Sequence, residues 1–168
     1  MRLSILSLLI CATVLTACST TSSELVLPEN VEWVSYESSP GPFCGKCETT
    51  KIIAAYDHRV WIERGYWAGD YEDWRISRTE PKASQKNLIS FRNHLAQFRP
   101  NENRIIGIES PLCKDFFSDS NSLRITWHDK KGSVYLIYDF GCQGEDAHTL
   151  ADALKAAPSL LNIDSLNN

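Results

Sequence analysis

Two apolar stripes with helical spacing, each preceded by runs of two-residue alternation, limit this chain to folds in which sheet and helix share one core. Leu88, Phe91, Leu95 and Phe98 recur at steps of three, four and three. Ser84 ahead of them can cap a helix, and Pro100 closes it. The second stripe, Ala147, Leu150, Ala151 and Leu154, begins beside Glu145 and Asp146, which suit a helix N-terminus, and ends with Lys155 before Pro158. Residues 31–36, 49–56, 59–66 and 73–79 precede the first stripe as β-prone runs, with Asp57-His58 as a hairpin turn. Residues 123–128 and 133–140 precede the second, flanking the turn Asp129-Lys130-Lys131-Gly132. Tyr135 and Ile137 then fall on one face of the last strand, Leu136 and Tyr138 on the other. The order strands, helix, strands, helix predicts an α+β fold: an antiparallel sheet built from hairpins, covered by two packed helices, within one domain over residues 31–164.

The N-terminus has a different character. One cation, Arg2, precedes an uncharged, mostly apolar run over residues 3–16, which falls short of the ~20 residues that a membrane-spanning helix needs. Its layout is that of a signal peptide over residues 1–17. Leu15-Thr16-Ala17-Cys18 resembles the bacterial lipobox, in which lipid is attached to the cysteine and cleavage falls just before it. The resemblance implies a mature chain that begins at Cys18 and is tethered to a membrane by lipid there. Ser19, in place of aspartate, resembles the pattern sent on to the outer membrane of Gram-negative cells, facing the periplasm. Residues 18–30 open polar and rich in hydroxyls, as a flexible tether does.

A mature chain of about 150 residues is of ordinary size for one domain. The full sequence carries a net charge of −4, and no basic stripe is visible, so a nucleic-acid partner is not expected. There is no Gly-x-Ser-x-Gly elbow, no His-Glu-x-x-His pair and no phosphate loop. His58, His94, His128 and His148 are scattered, and the acids at 145 and 146 are accounted for by a helix dipole. The chain therefore reads as non-catalytic, with no cofactor and no metal, and as a binder of an envelope protein or a cell-wall component.

Cys44, Cys47, Cys113 and Cys142 form an even set in a chain read as exported, so disulfides are expected. Three connectivities are open. Cys44 with Cys47 and Cys113 with Cys142 is the favoured one, although spacing does not fix it. Closing the longer loop would remove roughly 3–4 kcal/mol of unfolded-chain entropy. A rival reading makes Cys44 and Cys47 a thiol–disulfide oxidoreductase site, but Thr49, Thr50, Ile52 and Ile53 announce a strand where a thiolate-stabilising helix would be needed. A second rival gathers the four cysteines around zinc, yet Cys113 and Cys142 are not the close-spaced second pair of a zinc ribbon.

Gly41-Pro42-Phe43-Cys44-Gly45-Lys46-Cys47, the hairpin after it, Trp127 before a turn, Asp139-Phe140-Gly141-Cys142 and a last helix ending Ala156-Ala157-Pro158 together resemble an uncharacterised proteobacterial lipoprotein family. That domain of unknown function opens with Gly-Pro and two cysteines around a glycine. The resemblance covers nearly the whole domain and implies an envelope location without implying an activity.

Trp61, Tyr66, Trp67, Tyr71 and Trp74 form a dense aromatic stretch interrupted by Gly65 and Gly69. It offers a binding edge for a glycan, peptide or protein. The competing expectation, given more weight, packs Trp61 and Trp67 beneath the helix stripe of Leu88, Phe91 and Leu95.

Overall fold

The computed structural model describes Leu27, residues 30–42, Cys44, residues 47–68 and residues 73–163. The segment read as a signal peptide, Cys18, most of the segment read as a tether and Tyr71 lie outside the described residues.

Four strands come first: β1 (Trp33–Ser39), β2 (Glu48–Ala55), β3 (Val60–Ala68) and β4 (Asp73–Thr79). The turn from β2 to β3 closes where the Ala55 N–H donates to the Arg59 carbonyl (2.9 Å), with His58 at φ 74°. Helix α1 (Gln85–Ala96) starts where the Ser84 hydroxyl accepts from the Asn87 N–H (3.1 Å), so the expected cap is formed. Then come β5 (Arg104–Ile106), β6 (Asp115–Phe116), β7 (Ser122–Asp129), β8 (Gly132–Asp139), β9 (Cys142–Gln143) and α2 (Glu145–Ala156). A 3₁₀ turn over Ala157–Leu161 carries Pro158. Gly132, at φ 120°, closes the β7–β8 turn with a backbone conformation that side chains resist.

The strands join into one seven-stranded sheet, ordered β4-β3-β2-β1-β7-β8-β5, beside a small β6–β9 pair. The α+β class and the alternation of strands with helices hold, but the sheet is larger than a set of hairpins. β1 joins the two hairpin groups by pairing with both β2 and β7, and β5 pairs with β8 in parallel. β5, β6 and β9 are two or three residues long and carry no periodicity for sequence reading to find.

Both helices cover the same face. Leu88, Phe91 and Leu95 from α1 and Ala147, Ala151 and Leu154 from α2 meet Val34, Tyr36, Ile52, Ile62, Ile125, Leu136 and Tyr138 from the sheet. Each large side chain buried here contributes about 1.5–3 kcal/mol. Polar links fix the seating: the Tyr138 hydroxyl donates to the Ala147 carbonyl (2.6 Å), and the buried Arg92 guanidinium donates to the Ala55 carbonyl (2.9 Å). Among the described residues, no helix is long and apolar enough to cross a membrane.

Candidate functional site

The opposite face of the sheet receives neither helix. Because side chains alternate along a strand, the residues between the core positions define it. Trp33, Ser35 and Glu37 of β1 stand beside Lys51 and Ile53 of β2, with Trp61 and Glu63 of β3 beyond them and Arg124 and Thr126 of β7 on the other side. These residues, with Arg78 of β4 and Leu27, line a groove of about 470 Å³.

One wall of the groove is a ladder of alternating charge. Arg78 faces Glu63, Glu63 faces Lys51, Lys51 faces Glu37 and Glu37 faces Arg124, each pair in direct cross-strand register from β4 to β7. Arg78 Nε donates to Glu63 Oε2 at 2.7 Å, and Lys51 Nζ lies 3.5 Å from Glu37 Oε2. The Arg124 guanidinium rests 4.4 Å from the Tyr135 ring centroid. Each such exposed pair is worth roughly 0.2–1 kcal/mol. The ladder therefore stabilises little and mainly sets the charge pattern that a ligand meets.

The next row is apolar. Ile53, 4% exposed, forms the floor between Trp61 on β3 and Ser35 on β1. Trp33 stacks on His128 with ring centroids 5.2 Å apart and planes 16° from parallel. Trp61 lies under the Arg59 guanidinium (4.9 Å), itself held by Asp57, whose carboxyl the arginine hydrogen bond keeps below its usual pKa. Two indoles thus flank an apolar floor, with both signs of charge alongside.

The sequence-predicted aromatics divide. Trp61 lines the groove, whereas Trp67 and Trp74 pair in register at the far end of β3 and β4, edge to face with centroids 5.2 Å apart. They are 40% and 37% exposed, and Tyr66, on the other face, is similarly open. The expectation that Trp61 and Trp67 pack beneath α1 is corrected: register places Val60 and Ile62 on the helix side of β3 and turns the odd-numbered residues away. Trp33, Ile53 and the ladder were not foreseen. Only their alignment across strands distinguishes them, and that alignment is a property of register.

Disulfides join Cys44 to Cys47 and Cys113 to Cys142, with Cα separations of 5.2 and 4.9 Å. The first precedes β2, a strand, and the second ties the segment before β6 to β9. All four thiols are thereby engaged. Among the described residues, no three His, Cys, Asp or Glu side chains gather as a metal site would require.

No protein-family model and no curated protein matches the chain.

Proposed function

We propose that the chain is a membrane-tethered envelope lipoprotein, non-catalytic, whose open sheet face binds an extended peptide segment of another envelope protein. The groove between Trp33 and Trp61 carries this reading: flat aromatic walls, an apolar floor and a rail of both charges suit a peptide with an apolar side chain flanked by cations and anions. The resemblance of residues 15–18 to a lipobox supports the tether.

Titration of ¹⁵N-labelled protein with synthetic peptides tests the groove. A peptide with one leucine between alternating lysines and glutamates should shift the indole signals of Trp33 and Trp61, and all-lysine or all-glutamate peptides should not. Unshifted indoles, or binding to purified cell wall instead of peptide, would overturn the assignment. Metabolic labelling with palmitate tests the tether separately, since the chain should incorporate the label and Cys18→Ala should not.

Thiol–disulfide exchange at Cys44 and Cys47 is the weaker alternative, because among the described residues the motif opens onto β2, a strand, and not onto a helix N-terminus.

A further inference from the structure

The sheet ends on one side in β4, and we infer that this edge pairs with β4 of a second copy in antiparallel register centred on Ile76. All seven residues of β4 are exposed, and β4 runs in unbroken register with β3, with no bulge and no proline to spoil its outer edge. Native edges of this length are ordinarily interrupted, charged inward or covered.

The side chains choose the partner. Trp74, Ile76 and Arg78 share the open face, as their register partners Trp67, Gly65 and Glu63 on β3 show. A dyad through Ile76 sets Ile76 against Ile76, Trp74 against Arg78, Asp73 against Thr79 and Arg75 against Ser77. Ile76, 46% exposed, gains an apolar partner, and each indole gains a guanidinium. Moving the dyad to Arg75 would oppose two arginines, and moving it to Ser77 would separate the isoleucines. One register is therefore favoured over its neighbours.

The dyad stands perpendicular to the sheet, so both open faces lie on the same side. The grooves of the two copies then share one continuous surface with the Trp67–Trp74 pairs between them. A single strand pair covers less than the roughly 1,200 Å² of a standard interface, so a trapping measurement suits it better than dilution. The inference does not depend on what the groove binds.

The full-length chain carrying Ile76→Cys or Ser77→Cys is oxidised with copper phenanthroline in the producing cells and resolved on a non-reducing gel. Across the dyad two cysteines at 76 stand within about 4.5–5.5 Å, inside disulfide range, whereas those at 77 are offset along the strands. Ile76→Cys should yield a species of twice the chain mass at least tenfold more abundant than Ser77→Cys does. No dimer from Ile76→Cys, equal dimer from both variants, or an adduct of another mass at residue 76 would overturn the pairing. Both positions are exposed, so neither substitution threatens the fold.

Discussion

Gly65 on β3 lies directly beneath the indole of Trp74 on β4, so closely that a Cβ at position 65 would collide with the ring and with the Thr49 hydroxyl. Inside a strand, alanine is ordinarily more stable than glycine by roughly 0.5–1 kcal/mol. Here the sign should reverse. Gly65→Ala should cost about 1 kcal/mol in urea unfolding, at the lower end of overpacking penalties because the indole is near the surface. Trp74→Ala in the same chain should remove the part of that cost owed to the ring and leave the part owed to the Thr49 hydroxyl, and a double-mutant cycle reads the coupling directly.

Arg92 joins α1 to the end of β2. Its guanidinium donates to the Ala55 carbonyl at 2.9 Å and lies 4.4 Å from the Tyr56 ring centroid. Arg92→Ala should destabilise by about 1.5–3 kcal/mol, since a hydrogen bond from a charged donor is lost and the Ala55 carbonyl keeps only the longer one from the His58 N–H, at 3.3 Å. Thermal and urea unfolding of the purified protein measure it. A change under 0.5 kcal/mol would show that water replaces the arginine.

The two disulfides should contribute unequally. Cys113 and Cys142 are 29 residues apart in sequence and Cys44 and Cys47 only 3. On loop entropy, replacing Cys113 and Cys142 with alanine should cost about 3–4 kcal/mol, and the same change at Cys44 and Cys47 about half that. Denaturant midpoints of the two double variants, compared at equal slope, decide the order.

Burial of Tyr36 among the core residues pushes its phenol up to about 12. An unfolded tyrosine ionises near 10, so both states stay protonated below that pH and the group leaves stability unchanged. Between pH ~10 and ~12 the unfolded chain ionises first, and stability should fall by up to about 2–3 kcal/mol. Tyr36→Phe should lack that part of the alkaline loss. Unfolding curves at pH 9 and 11.5 for both proteins test the difference.

How far the sequence could be read follows from which information is local. The cap at Ser84, the stripe through Leu88, Phe91 and Leu95, the Asp129–Gly132 turn and the strand at 73–79 each occupy a few adjacent residues, and each was legible. The pairing of β1 with β7 joins residues some ninety positions apart, and nothing in either strand names the other. The face of Trp61 was misjudged for the same reason, since an indole flanked by apolar residues reads as core until a register turns it outward. Glu37, Lys51, Glu63, Arg78 and Arg124 are ordinary singly. They form a rail only once five strands are laid side by side.

The central place of β1 has a mechanical consequence. A pull on the chain ahead of Asn30 is delivered at Trp33, the first residue of a strand held on both flanks by β2 and β7. Antiparallel hydrogen bonds run perpendicular to the strands, so a load along β1 shears both ladders together and does not peel them one bond at a time. Tension would arrive where the sheet resists it in concert, while the edges at β4 and β5 carry none of it directly.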